Sequence, residues 1–122
     1  MKKVAFICVH NSCRSQIAEA ICRKYRPDLE AYSAGIEIKP IINQDAVRIL
    51  LKNYNIDISN YHSKLIKDIP SCNIYVSMGG NISCPFIGRD YDYNFNIEDP
   101  TNKDDEAFIQ CIEEIKKKIM EL

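Results

Sequence analysis

The apolar run Val4-Ala5-Phe6-Ile7 stops at Cys8, and a helical pattern begins at Ser15. Strand, loop and helix in direct succession point to an α/β fold, in which ligands bind beyond the carboxyl ends of the strands. The loop itself carries the chemistry. A thiol at Cys8, five intervening residues and a guanidinium at Arg14 suit a turn whose backbone N–H groups curl around a tetrahedral oxyanion. Val9, His10, Asn11, Ser12, Cys13 and Arg14 would form its wall, with the sulfur attacking from below and the arginine taking two oxygens. Unpaired amides at a helix N-terminus add positive potential there. The thiol is therefore expected to ionise well below the roughly 8.5 of a free cysteine.

From Ser15 the residues Ile17, Ala18, Ile21, Cys22 and Tyr25 keep helical spacing, and Pro27 ends the pattern. Glu30 to Ser33 reads as a second strand turned by Ala34-Gly35. Asn43 can cap a helix with the stripe Ala46, Val47, Ile49, Leu50 and Tyr54. Asn60 or Ser63 is expected to start a short helix containing Leu65 and Ile66 and closed by Pro70. Asn73 to Met78 is the next strand, broken at Gly79-Gly80-Asn81. Gly88 to Asn94 reads as a surface loop and Phe95 to Glu98 as a last short strand. From Asp104, the stripe Phe108, Cys111, Ile112, Ile115 and Ile119 marks a final helix, with acids at its start and Lys116, Lys117 and Lys118 near its end, as the helix dipole favours. Strands alternating with helices imply a parallel sheet with helices on both faces, a three-layer α/β/α arrangement.

Hydrophobic residues make up 46% of 122, enough for one core and too few for two, so residues 1–122 are expected to form one domain. Charges nearly cancel, 16 basic against 17 acidic. This removes the electrostatic reason to expect a nucleic-acid or membrane partner. After Met1-Lys2-Lys3 the apolar run is too short for a signal or a membrane span, and a cytoplasmic monomer is expected. The six cysteines, at 8, 13, 22, 72, 84 and 111, are expected to be reduced. Zinc on Cys8, His10, Cys13 and Cys84 is disfavoured by their spacing; no metal and no cofactor is expected. Cys22 belongs to a core stripe.

The wording Asn11-Ser12-Cys13-Arg14-Ser15-Gln16 with Ala18-Glu19, and further echoes at Tyr32-Ser33-Ala34-Gly35-Ile36-Glu37, Ile56-Asp57-Ile58-Ser59 and Glu98-Asp99-Pro100, resembles the low-molecular-weight protein tyrosine phosphatases. The closer resemblance is to the thioredoxin-coupled arsenate reductases that share their fold. The resemblance runs nearly end to end. It implies a four-stranded sheet of order 2-1-3-4, Cys8 as nucleophile, Ser15 bonded to it, and Asp99 as the acid that protonates the leaving group. Glu98, Asp90 and Asp92 are weaker substitutes for that acid. It also implies a potassium site whose asparagine, glutamate and serine match Asn11, Glu19 and Ser33; Lys64 stands where the family has an aspartate and could put its ammonium in the cation's place.

Arsenate and phosphate are near-isosteric, so the loop accepts either. The resemblance favours arsenate reduction, in which a second thiol displaces arsenite and the disulfide is cleared by thioredoxin or another thiol reductant. Cys84, followed by Pro85, matches one resolving cysteine; the other would fall at Gly79 or Gly80, where there is no thiol. Cys13 is the alternative. Cys72, at the far end of its strand, is on the order of 15 Å from the active edge. Hydrolysis of phosphate monoesters through a phosphocysteine needs no second thiol and is the competing reading. Against it, Thr101 and Asn102 stand where the phosphatases commonly carry tyrosines. A non-catalytic oxyanion sensor is a third.

Overall fold

The computed structural model describes residues 1–79 and 86–122. Four parallel strands, β1 (Lys2–Ile7), β2 (Leu29–Ala34), β3 (Ile74–Ser77) and β4 (Tyr93–Asn94), form one sheet in the order β2-β1-β3-β4. The order and the parallel sense are those expected. Central β1 is covered on both faces because Val4, Ala5, Phe6 and Ile7 are all apolar, and none is exposed. Alternation divides them. Val4 and Phe6 join the main core, while Ala5 and Ile7 pack with Ala34 and Cys72 in a smaller cluster on the other side.

Three helices supply the main core: α1 (Arg14–Tyr25), α2 (Gln44–Tyr54) and α3 (Asp105–Met120). Asn43 caps α2 by accepting from Ala46 N–H, and left-handed Asn55 ends it. Asp104 caps α3 in the same way through Ala107 N–H, with Asp105 and Glu106 in the first turn and Lys117 and Lys118 in the last. Arg26, just past α1, donates to the carbonyls of Ile119 and Leu122, so the end of α1 holds the end of α3. Ile66, Ile69, Ile87 and Tyr91 pack over the smaller cluster.

Two expected elements lie elsewhere. The last strand is Tyr93–Asn94, inside the stretch read as a loop, rather than Phe95 to Glu98. Pairing stops there because Asn96 is left-handed (φ 55°), and the chain continues beside β3 through Phe95 N–H to Ser77 O and Ile97 N–H to Met78 O. The short helix is a single 3-10 turn, Ile66–Asp68, that neither Asn60 nor Ser63 caps; Asp68 accepts from Leu65 N–H instead. Among the described residues no helix is long and apolar enough to cross a membrane.

Candidate active site

β1 delivers Cys8 to the carboxyl edge of the sheet, where its N–H still bonds Ala34 O on β2. The loop that follows is held by its carbonyls. Val9 O accepts from the N–H groups of Ile36 and Glu37, His10 O from Ser63 Oγ, Asn11 O from Gln16 Nε2, and Ser12 O from Asn43 N–H. A trans peptide sets its N–H opposite its carbonyl, so the amides of His10, Asn11, Ser12 and Cys13 are turned away from all of those donors. Asn11 makes the turn with φ 50°, a left-handed conformation that asparagine tolerates. Gly35 permits the close approach of β2. A Cβ there would lie 2.5 Å from Val9 O and 2.8 Å from Cys8 O.

The N-terminus of α1 carries no side-chain cap, so Ser12 and Ser15 do not play that role. Its first N–H groups stay available to an anion. Ser15 instead lies 2.8 Å from the Cys8 sulfur through its hydroxyl oxygen, which also accepts from Asn11 Nδ2 at 2.8 Å. With one lone pair engaged by the amide, the serine still has its own proton to donate to a Cys8 thiolate.

Cys8, Val9, His10, Ser12, Cys13, Arg14, Asp99 and Thr101 line one cavity of about 50 Å³. Three groups of different chemistry therefore share a small space: a thiol, a guanidinium and a carboxylate. Half-buried Arg14 donates to Ile97 O at 2.8 Å, which ties it to the segment carrying Asp99. Asp99 is exposed, and its Oδ1 accepts from Thr101 N–H (3.1 Å) and Thr101 Oγ1 (2.6 Å). Glu98 bonds Lys103, and Asp92 bonds Arg89 and Tyr75 N–H, so both are engaged elsewhere. Neither Glu98, Asp90 nor Asp92 lines this cavity.

Residues 3–122 match the profile of the low molecular weight phosphotyrosine protein phosphatases. The chain belongs to this family. The arsenate reductase of Staphylococcus aureus (strain Newman) is 35% identical to it over 121 residues, covering 94% of this chain and 91% of that protein. The structure of the arsenate reductase from Archaeoglobus fulgidus DSM 4304 superposes with a TM-score of 0.84 over 97% of this chain and 96% of that one; at 24% identity this is a likeness of fold. An arsenate reductase in the phosphate binding state superposes with a TM-score of 0.82, covering 99% of this chain and 95% of that one, at 25% identity.

Beside the anion loop of this phosphatase-family chain, α1 buries a carboxylate. Glu19 accepts from Ser33 Oγ (2.6 Å) and pairs with Arg23 (2.9 Å) and Lys64 Nζ (3.4 Å). Lys64 also reaches Ser33 Oγ at 3.4 Å and His62 O at 3.3 Å, and its backbone N–H donates to Asn11 Oδ1. The lysine is thus no free surface cation; its side chain is only 19% exposed. Asn11, Glu19, Ser33 and Lys64 form one connected group. His10 leans outward to Glu37 at 2.9 Å.

The other thiols separate by place. Cys13 borders the cavity yet is buried in the main core, and burial, then Cys111 and Asp99, push its thiol far up. Burial holds Cys111 at about 12 and Cys22 at about 11. Cys72 sits at the opposite end of β3, bonded to Pro70 O. Cys84 lies outside the described residues. Among those described, no cluster of three or more His, Cys, Asp or Glu side chains suits a metal ion.

Several residues were not found as parts of the site from sequence. Gln16 is wholly buried and donates to Asn11 O, Asn11 Oδ1 and His62 O. Its signal was a polar residue in the first, otherwise inward-facing turn of α1. Ser63 and Asn43 act on loop carbonyls through contacts distant in sequence, which no local pattern announces.

Proposed function

We propose that this chain is an arsenate reductase. The observation that carries the reading is the shared cavity of Cys8, Arg14 and Asp99, with Ser15 bonded to the sulfur; the arsenate reductase relative at 35% identity supports it. Loop amides and Arg14 hold arsenate, and the Cys8 sulfur attacks arsenic. Asp99 protonates the departing oxygen, which leaves as water. A second thiolate then attacks the Cys8 sulfur. The sulfur–arsenic bond breaks, its electron pair stays on arsenic, and arsenite leaves as the disulfide forms. Arsenic(V) gains the two electrons that the two sulfurs lose, and a thiol reductant of the thioredoxin type restores them.

Cys84 is our choice for the second thiol, on sequence grounds. Cys13 is a poorer one, since a buried thiol kept protonated is a weak nucleophile. Asn11, Glu19, Ser33 and Lys64 serve as the loop's buttress, with the lysine ammonium in place of a bound cation. The competing reading, hydrolysis of phosphate monoesters, uses the same loop and Asp99. Thr101 and Asn102 provide no aromatic wall for a phosphotyrosine ring.

The test is side-by-side turnover of arsenate with thioredoxin and of an aryl phosphate. Arsenite release that Cys84→Ser abolishes while sparing aryl phosphate hydrolysis is the expected outcome. Hydrolysis without arsenite release would replace this reading by the phosphatase one. Cys8→Ser is expected to lose either turnover yet still bind phosphate, because the amide loop survives and a hydroxyl is too weak a nucleophile. Turnover at the parental rate would remove Cys8 from the mechanism.

A further inference from the structure

Resting on the reading of Asp99 as the acid, we propose that Thr101 is a positioning residue for it. Its hydroxyl fixes which carboxyl oxygen carries the proton and ties the acid's segment to the anion loop. Thr101 N–H and Oγ1 both donate to the same oxygen, Asp99 Oδ1, at 3.1 and 2.6 Å. A carboxyl oxygen has two in-plane lone pairs, and both are then engaged. The transferable proton is left to Oδ2, and a carboxyl held by one oxygen has the direction of the other determined. An exposed aspartate without this clamp would rotate about χ2, whose well is broad.

The threonine is itself held. Asn43 Nδ2 donates to Thr101 Oγ1 at 3.5 Å, while Asn43 N–H donates to Ser12 O at 2.8 Å and Asn43 Oδ1 caps α2 by accepting from Ala46 N–H at 3.0 Å. One asparagine therefore joins the anion loop, the start of α2 and the acid's partner. Arg14 provides the second tie between the same two segments, through Ile97 O. Asp99 and Thr101 both face the cavity that holds Cys8. The hydroxyl thus acts through the carboxylate's orientation, and anion affinity is left to the loop amides and Arg14.

The test is steady-state arsenite release by Thr101→Val, Thr101→Ser, Asp99→Asn and Asp99→Asn/Thr101→Val. Valine keeps the shape and removes the hydroxyl. Losing the hydroxyl that orients the acid is expected to lower kcat about tenfold, with KM for arsenate unchanged. Serine should restore it, Asp99→Asn should cost roughly 10²–10⁴-fold, and the double variant should be no slower than Asp99→Asn alone, since coupled residues are not additive. Parental kcat in Thr101→Val, or the same fold-loss from valine in the Asp99→Asn background, would overturn the proposal while leaving the acid intact. Equal losses with valine and serine, accompanied by a raised KM, would make Thr101 merely structural and overturn it too. A parental rate for Asp99→Asn is a different failure. It removes the acid itself, and the role of Thr101 with it.

Discussion

Glu19 is a carboxylate buried to 3% exposure, and such a charge persists only with partners. Arg23, Ser33 and Lys64 supply them. If the Lys64 ammonium stands in for a cation, the parent protein should melt at the same temperature in potassium and in sodium. Lys64→Asp puts a second carboxylate beside Glu19, and their repulsion is relieved by binding a cation. Its melting temperature and turnover should then rise with potassium, by about 2.7 kcal/mol of stability when the ion is at 100 times its dissociation constant. Thermal melts in the two salts decide the matter. A parent already stabilised by potassium would contradict the replacement.

At the scale of elements, the site depends on how closely the end of β2 lies under the anion loop. Gly35 N–H donates to Lys64 O, Gly35 O accepts from Ile66 N–H, and the next two N–H groups hold Val9 O. The glycine is needed for space, since a methyl would meet backbone oxygens at 2.5 and 2.8 Å that cannot swing away as a side chain can. Gly35→Ala should therefore cost about 1–3 kcal/mol, as overpacking does, and should weaken phosphate binding, because relief comes by moving the loop that presents the amides. Denaturant unfolding and phosphate titration measure the two effects. A variant of parental stability and affinity would show that the approach is looser than drawn. Contrast the start of α2, where Asn43→Ala removes an ordinary cap worth about 1 kcal/mol and, with it, one tie to the acid's segment.

Across the whole molecule, the core holds thiols that the fold keeps neutral. Cys111, on α3, is buried in the main core, and burial is the largest cause of its rise from 9.0 to about 12. In the unfolded chain this thiol ionises above about pH 9, whereas in the folded one it stays protonated to about pH 12. The stabilisation is thus fully present below pH 9 and is lost as the pH rises through that window, at up to about 1.4 kcal/mol per pH unit for each such group. Cys111→Val, which keeps an apolar side chain and removes the titration, should show a shallower fall in melting temperature between pH 9 and 11 than the parent. Parallel curves would mean that the fold does not hold this thiol neutral.

What sequence alone determined was what depends on neighbours along the chain. The run ending at Cys8 and the helix pattern from Ser15 place a strand, a loop and a helix. The spacing of Cys8 and Arg14 points to an oxyanion loop, and the stripes of α2 and α3 mark their buried faces. The order of the sheet, and the role proposed for Asp99, came from likeness to known sequences, since nothing local pairs β1 with β3 or brings residue 99 near residue 8. Tertiary structure alone decided the rest. It ended β4 at Asn94, where a left-handed Asn96 turns the chain, and it set donors from Ile36, Asn43 and Ser63 on the loop carbonyls. It also brought Lys64 to Glu19 and Asn43 to Thr101. Apart from the end of β4, each of these is a hydrogen bond or ion pair between residues tens of positions apart. Its geometry exists only once the core has packed the segments that carry them, because side-chain type announces a capacity to bond and folding chooses the partner.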